Sequence, residues 1–188
     1  MIAICTDKGV EPVNVYGMTK AIEERITIAA GYNAVRYGNV FGSTGSVIPL
    51  FYRQKQAGGP LTVTDPEMTR FLLTTDDAID LIMMAFNKPM EGKIWVKKSP
   101  STKIGDLAQA FDTPIKIIGK TRGEKLHEML ISEEETTRVT EEKGYFIVHP
   151  NTLTAEFDRS YTSDRERMLT IKEIKVLIDK WVAAGAQG

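Results

Sequence analysis

The stretch of sequence that decides the fold reads Thr6-Asp7-Lys8-Gly9-Val10-Glu11-Pro12-Val13-Asn14-Val15-Tyr16-Gly17-Met18-Thr19-Lys20. The apolar residues 2–5 before it are typical of a buried strand, and Gly9 and Pro12 end that strand in a loop. Residues 16–30 then show the spacing of a helix, and residues 33–40 that of a second strand. Because two strands joined by a helix run parallel, the pattern predicts an α/β fold.

Apolar periodicity predicts which helix faces point to the core. In the first helix, Ile22 and Ile26 fall on one stripe, with charged residues on the other side. Residues 124–131 are also predicted to be helical. A helix that ends at Phe86 has an apolar face formed by Ile79, Ile82, Met83 and Phe86.

The composition is that of an ordinary globular protein of 188 residues, with 42% apolar and 26% charged residues. The net charge of −1 provides no field that attracts nucleic acid or an anionic membrane, so we expect neither as a partner. No apolar run reaches membrane-spanning length. The single cysteine, Cys5, is typical of a reducing compartment, and with two histidines it does not make a usual zinc site. We therefore predict a cytoplasmic protein without a metal.

Two polar pairs in the opening stretch are candidates for catalysis. Tyr16 and Lys20 are four residues apart and share one helix face, where the ammonium group favours phenolate and makes Tyr16 a candidate base. Asp7 and Lys8 place an acid and an amine where the first strand ends. Each pair taken alone is also common on solvated surfaces, so both interpretations remain open at this point.

Together with four later blocks, the opening stretch resembles the active-site segment of the extended short-chain dehydrogenase/reductases. Within that superfamily, the blocks are similar to the UDP-N-acetylglucosamine 4,6-dehydratases of polysaccharide biosynthesis, and Lys8 and Tyr16 resemble the type that inverts C5 of the sugar. The blocks occur in the family's order and are Val35-Arg36-Tyr37-Gly38-Asn39-Val40, Gly45-Ser46-Val47-Ile48-Pro49-Leu50-Phe51, Thr64-Asp65-Pro66-Glu67-Met68-Thr69-Arg70-Phe71 and Gly123-Glu124-Lys125-Leu126-His127-Glu128.

The resemblance implies the C-terminal part of a Rossmann-like parallel sheet with a smaller mixed α/β substrate-binding region. Residues 1–50 would form the truncated Rossmann-like portion with the active-site segment. Residues 51–188 would form the substrate-binding region, interleaved with the remaining strands and the C-terminal helix. The sequence contains no Gly-x-Gly-x-x-Gly after a strand, so we expect a homo-oligomer or a complementary N-terminal half that supplies the cofactor-binding part.

The resemblance also implies roles for individual residues. The catalytic residues are Thr6, Asp7, Lys8, Tyr16 and Lys20. Binding of the cofactor, NADP, is implied for Tyr16, Lys20, Asn39 and Val40. Binding of UDP-N-acetylglucosamine, or a related UDP-sugar, is implied for Asn39, Val47, Thr64, Arg70, Arg122 and Glu124. Arg70 is expected to bind the pyrophosphate through two nitrogens, whereas Arg122 is displaced by one position from the family's pattern.

Two functions follow from this sequence. The first is a 4,6-dehydratase that makes a 4-keto-6-deoxy sugar with inversion at C5 and needs a cofactor-binding half. The second is a non-catalytic subunit that binds a UDP-sugar or a partner chain without turnover.

Overall fold

A computed structural model describes residues 1–154 and 157–185 and confirms the predicted α/β fold. The α-helices are α1 (Val15–Ala29), α2 (Val47–Gln56), α3 (Thr75–Phe86), α4 (Ile104–Gln109) and α5 (Ile171–Ala183). The strands are β1 (Ile2–Thr6), β2 (Asn33–Tyr37), β3 (Asn39–Val40), β4 (Leu61–Val63), β5 (Thr69–Leu73), β6 (Ile94–Lys97), β7 (Ser101–Lys103), β8 (Ile115–Ile117), β9 (Met129–Ile131), β10 (Val139–Glu142), β11 (Tyr145–Val148) and β12 (Tyr161–Thr162). Short 3-10 helices lie at Asp7–Gly9 and Glu134–Arg138.

The main sheet has five strands in the order β1-β2-β6-β11-β10. β1, β2 and β6 are parallel, and β11 and β10 continue the sheet antiparallel. The parallel crossover predicted from the first forty residues is therefore confirmed, with α1 as its helix. α1 and α3 both pack on this sheet, and β1 forms one of its two edges.

The predicted strand at residues 33–40 is divided into β2 and β3, which belong to different sheets. The division occurs at Gly38, where an added Cβ would lie 2.6 Å from the Cβ of Phe71 in β5. Only a glycine permits this approach, which lets β3 pair with β5 in a small sheet of order β3-β5-β7. The remaining strands form two pairs, β4 with β8 and β9 with β12.

The predicted core face of α1 is wrong. Ile22 and Ile26 are 59% and 65% exposed, whereas Glu24 and Thr27 on the other side of the helix are buried. The reason is that Glu24 has an ion partner in the interior, so the helix turns a charged residue inward and leaves apolar residues outside.

The predicted core face of α3 is correct at Ile82, which packs against the core, and wrong at its other three residues. Ala78, Leu81 and Ala85 are buried against the sheet. The small alanine side chains let the helix lie close to the strands. Close packing therefore decides which face is buried, and the positions of the large apolar residues do not indicate that face. The side chains of Ile79, Met83 and Phe86 are each more than half exposed.

A buried ion cluster connects α1 to the later part of the chain. Arg36 in β2 donates to Glu24 of α1 at 2.6 Å, to Glu135 at 2.7 and 2.8 Å, and to the carbonyl of Leu130 at 3.1 Å. Burial alone raises the pKa of Glu135, but the hydrogen bonds from Arg36 outweigh it and hold that pKa below its ordinary value. The cluster thereby fixes α1 against β2 and the 3-10 helix Glu134–Arg138.

The first turn of α1 lies directly on the 3-10 helix Asp7–Gly9. A Cβ on Gly17 would be 2.1 Å from the carbonyl oxygen of Lys8 and 3.0 Å from the Cβ of Pro12. Asn14 caps the helix, because its side-chain oxygen accepts a hydrogen bond from the Gly17 amide at 2.8 Å. The start of α1 is therefore held beside the residues that follow β1.

Replacing Arg36 with alanine removes the partner of two buried carboxylates. We expect the free energy of unfolding to fall by about 3–5 kcal/mol, the usual effect of removing one member of a buried ion pair. Urea unfolding followed by circular dichroism measures it. Arg53→Ala, at an exposed arginine of α2, is the control and should stay within about 0.5 kcal/mol of wild type. Equally small effects for both variants would contradict a structural role for Arg36.

Replacing Gly17 with alanine tests the contact between α1 and Lys8. Helix propensity by itself favours alanine by about 1 kcal/mol. Because the added methyl group collides with a backbone carbonyl, we expect the opposite sign, a loss of about 1–3 kcal/mol of stability. At Gly59 the nearest neighbouring atom lies 3.9 Å from an added Cβ, so Gly59→Ala is the matched control. A Gly17→Ala variant more stable than wild type would show that this contact is absent.

Candidate active site

The turn after β1 brings together three of the predicted catalytic residues. Asp7 is fully buried, and its Oδ1 accepts hydrogen bonds from the Thr6 hydroxyl at 2.7 Å and from the Lys8 ammonium at 3.0 Å. β1 ends at Thr6, and the next residues form the 3-10 helix Asp7–Gly9. The alternation of strand side chains is thereby interrupted, so Asp7 and Lys8 lie together rather than on opposite faces of the sheet.

A cavity of about 300 Å³ opens beside this turn. It contains five of the residues predicted to contact substrate or to act on it, from four separate parts of the chain, namely Lys8, Asn39, Val47, Arg70 and Glu124. The other residues around it are Val13, Asn14, Gly45, Ser46, Gly123, Lys125 and Glu128. Chain segments far apart in sequence therefore converge on one concave, mostly polar site.

Tyr16 and Lys20 lie outside the cavity lining, on the exposed side of α1. The Tyr16 side chain is half exposed, and Lys20 Nζ donates to the carbonyl of Ile4 at 3.1 Å and to Glu23 at 2.8 Å. The hydrogen bond to Glu23 raises the pKa of Lys20 and keeps its amine charged. Burial raises the pKa of the neighbouring Tyr37, which sequence reasoning had not assigned to the site, although Lys20 opposes that shift.

Five further predicted residues are also absent from the cavity lining, namely Thr6, Asp7, Val40, Thr64 and Arg122. Val40 pairs with Leu73 between β3 and β5. The Thr64 hydroxyl donates to the sulfur of Met68 at 3.5 Å. Arg122 is exposed. Its guanidinium group, displaced by one position from the family's pattern, does not line the cavity in this conformation.

Arg70 lines the cavity, but its donors already have partners within the protein. One terminal nitrogen donates to the carbonyls of Thr69 at 2.7 Å and Leu126 at 3.2 Å. The other donates to the carbonyl of Lys125 at 3.1 Å. A grip on pyrophosphate through both nitrogens requires these bonds to break, so in this conformation Arg70 holds the segment around residue 126 in place.

The helix predicted at residues 124–131 is wrong, because this segment is extended and ends in β9. The amide of Thr69 donates to the carbonyl of Leu126 at 2.9 Å, and His127 forms a β-bridge with the same residue. Pairing with β5 thus overrides the local helix preference. The extended conformation turns Lys125 and Glu128 towards the cavity.

Glu128 and Lys125 are site residues that sequence reasoning did not identify. Glu128 is 3% exposed, and its Oε1 lies 3.8 Å from the Nε of Arg70. Burial, and then the negative charge of Asp7, raise the pKa of Glu128 above its ordinary range. Burial lowers the pKa of Lys125, whose ammonium donates to the carbonyl of Val10. The Gly-Glu-Lys-Leu-His-Glu block was the sequence signal that could have identified these two residues. The incorrect helix prediction for residues 124–131 obscured it.

A larger cavity of about 890 Å³ lies on the other side of the Asp7–Gly9 turn. Its lining includes Arg36 and Glu135 but none of the predicted catalytic residues. The polar groups of that ion cluster are hydrogen-bonded to one another, so we place the candidate active site in the smaller cavity, which is lined by Lys8, the partner of Asp7.

The residues present fit one end of a nicotinamide dinucleotide. Asn39 Oδ1 is buried without a hydrogen-bond partner in the described part of the chain and lies at the end of a parallel strand, where α/β ligands bind. Lys20 retains a third N–H beyond its two bonds. These groups suit a ribose or carboxamide, whereas the sequence has no glycine-rich turn for the pyrophosphate.

The helices of residues 1–154 and 157–185 include none that is long and apolar enough to cross a bilayer.

Comparison with known sequences supports the family suggested by the motifs. A profile described as polysaccharide biosynthesis protein matches residues 1–150. An uncharacterized membrane protein from Methanocaldococcus jannaschii is 38% identical over 94% of this chain and 60% of its own length. A UDP-glucose 4-epimerase from Rickettsia typhi is 35% identical over 95% of this chain and 60% of its own length. The chain thus spans about three fifths of the curated relatives it matches.

Solved structures share the fold. Pen from Bacillus thuringiensis superimposes with a TM-score of 0.87 at 30% identity and covers 95% of this chain and 61% of its own. A UDP-glucuronic acid 4-epimerase from Bacillus cereus, solved with UDP-glucuronic acid and NAD, has a TM-score of 0.61 at 20% identity over 66% of this chain and 50% of its own. With a profile match over most of its length, the chain belongs to the polysaccharide biosynthesis protein family.

Proposed function

We propose that this chain forms the substrate side of a nucleotide-sugar 4,6-dehydratase that converts UDP-N-acetylglucosamine to a 4-keto-6-deoxy sugar with inversion at C5. The observation that carries this proposal is the Asp7–Lys8 pair, an acid and an amine 3.0 Å apart, of which Lys8 lines the cavity and Asp7 is fully buried beside it. Elimination of water across C5 and C6 requires one group that removes a proton and another that gives one. A C4 epimerase requires no such pair.

The bond between Lys8 and Asp7 gives the site a way to prepare both groups at once. Transfer of one proton from the Lys8 ammonium to Asp7 Oδ1 yields a neutral amine and a carboxylic acid without exchange with solvent. The amine then takes the C5 proton, and the acid protonates the departing C6 hydroxyl, which leaves as water. The pair returns to ammonium and carboxylate, so the protons balance.

The remaining residues orient the sugar. Tyr16 receives the proton of the C4 hydroxyl. Thr6 holds Asp7 through its hydroxyl. We propose Asn39, Val47 and Glu124, which line the cavity, as contacts for the sugar and its N-acetyl group. NADP, when bound, accepts the hydride from C4 and returns it at C6. Val40, Thr64 and Arg122 remain proposed ligand contacts that a closed complex must bring to the site.

Two alternatives rest on specific observations. The 35% identity to a UDP-glucose 4-epimerase favours inversion at C4 of a UDP-hexose, with the nicotinamide acting on that carbon alone. The half-exposed position of Tyr16, outside the cavity lining, favours a subunit that binds UDP-sugar without turnover.

Incubation of the chain with UDP-N-acetylglucosamine in D₂O separates these three functions, with NADP and NAD tested in parallel. We expect calorimetry to detect UDP-sugar binding, and mass spectrometry and NMR to detect a product that has lost water and carries deuterium at C5. Lys8→Met should abolish deuterium incorporation at C5. Asp7→Asn should slow water loss by about 10²–10⁴-fold, the usual contribution of a proton-transfer group.

Lys172→Met, at an exposed lysine of α5, is the matched control and should behave as wild type. An epimer of unchanged mass would support the epimerase instead. Binding without turnover under every cofactor condition would support the non-catalytic subunit. A chain that binds no UDP-sugar would refute all three.

We further propose that the chain associates through the face that carries α1 and the β1 edge. β1 pairs only with β2, and unpaired parallel edge strands readily accept another strand. The exposed apolar residues of α1 form a stripe along the same side of the molecule, comprising Val15, Met18, Ile22 and Ile26. We propose a second copy or a complementary N-terminal half as the occupant, acting in the cytoplasm.

Light scattering at micromolar concentration tests this association. We expect a mass above that of a monomer, because the apolar stripe of α1 is otherwise left in water. The double variant Ile22→Lys and Ile26→Lys should shift the distribution towards monomer. Ile117→Lys, at a comparably exposed isoleucine of β8, should leave it unchanged. A clean wild-type monomer that also fails to bind a separately expressed cofactor-binding half of a relative would contradict the proposal.

A further inference from the structure

Two buried carboxyl groups at the candidate site each have one oxygen without a hydrogen-bond partner. These oxygens are Asp7 Oδ2 and Glu128 Oε2, and neither has a partner in the part of the chain that the structure describes. Asp7 is fully buried and Glu128 is 3% exposed. A buried carboxylate oxygen that accepts no hydrogen bond is costly, so two of them at one site require an explanation.

The backbone holds Glu128 firmly in this place. Its amide donates to the hydroxyl of Ser163 at 2.9 Å, and its carbonyl accepts from the Ser163 amide at 2.9 Å. Ser163 is itself fully buried and hydrogen-bonded to Thr69. The backbone of Glu128 is thus fixed directly before β9, the strand that packs against the Asp7–Gly9 turn.

We propose that Glu128 carries a proton in the resting site. The protonation of Glu128 does not depend on the proposed dehydratase function, whereas its effect on Lys8 does. One proton converts one of the two acceptor groups into a donor, which reduces the number of bare acceptor oxygens. It also removes one of two like charges, as in other paired carboxyl groups.

The other charged groups around Glu128 do not cancel this effect. Arg70, Lys8 and Lys125 favour its charged form, while Asp7 and burial favour the neutral form and prevail, so its pKa is raised. Arg70 is 3.8 Å away and its terminal nitrogens donate to carbonyls, while Lys8 and Lys125 donate to Asp7 and Val10. Glu124, the other acid of the cavity, is exposed.

A neutral Glu128 matters because it affects how readily Lys8 gives up its proton. A second carboxylate beside the ammonium would stabilise the charged amine and would compete with Asp7 as the acceptor of that proton. With Glu128 protonated, the only carboxylate bonded to Lys8 is Asp7, and the proton exchange between these two remains balanced. Glu128 is thus a positioning residue that sets the charge of the acid–base pair.

Carboxyl NMR of the free chain, with ¹³C-labelled glutamate side chains, tests the proton directly and needs no substrate. We expect the glutamate signals raised by burial, those of Glu128 and Glu166, to titrate at higher pH than that of an exposed residue such as Glu141, and Glu128→Gln to remove one of the two and so assign it. Asp7→Asn should lower its midpoint by on the order of 1 pH unit, because the like charge is gone. Should that variant fail to fold, the wild-type titration decides alone.

Titration of Glu128 together with the exposed glutamates would overturn the inference, whatever the chain does with UDP-sugars. The consequence for Lys8 is tested separately through the pH profile of water loss. Wild type and Glu141→Gln should lose activity at alkaline pH as Glu128 ionises, whereas Glu128→Gln should lack that limb. An identical alkaline limb in Glu128→Gln would overturn the role in catalysis, and a chain without any turnover would refute the proposed function while leaving the titration valid.

Discussion

The contact on which this site depends is the one between the first turn of α1 and the carbonyl oxygen of Lys8. Because Gly17 has no side chain, the helix begins where the strand has just ended, and the chain between them forms a 3-10 turn. That turn breaks the alternation of the strand and places Asp7 beside Lys8. Asn14, which caps the same helix, also donates to the carbonyl of Gly123 at 2.9 Å, so the contact extends to the segment that brings Glu128.

The electrostatics of the cavity follow from the depth at which its charges lie. Asp7 and Glu128 are both buried, and burial raises the pKa of Glu128. Positive groups surround them, yet most of these point their donors at backbone carbonyls, as Arg70 and Lys125 do. The cations therefore hold the backbone around the site in place and only partly neutralise its acids. Protons can therefore move among the groups of this site. Acid–base catalysis requires such movement, and a fully paired ion cluster such as that of Arg36 does not permit it.

The sequence was sufficient to predict the βαβ start of the fold, because strand, turn and helix signals agreed there. It was insufficient wherever tertiary contacts outweighed local pattern. The stripe of Ile22 and Ile26 has a helical period but does not show which side meets the sheet, and the ion partner of Glu24 decided the matter. Residues 124–131 have helix-forming composition, yet hydrogen bonds with Thr69 hold them extended. The Asp7–Lys8 pair was foreseen from family motifs, whereas Glu128 required the coordinates, since burial and an unpartnered oxygen leave no mark in a sequence.

The structure also separates in space the groups proposed for elimination from those proposed for oxidation. Lys8, proposed to act in elimination with Asp7, lines a walled cavity, where low dielectric strengthens every charge interaction. Tyr16, proposed to act in oxidation, is half exposed on α1, next to the open β1 edge. A phenol that exchanges protons beside a hydride transfer needs water excluded. The described chain therefore encloses the proposed elimination groups by itself, whereas enclosure of the proposed oxidation groups requires a surface that covers α1 and extends the sheet beyond β1.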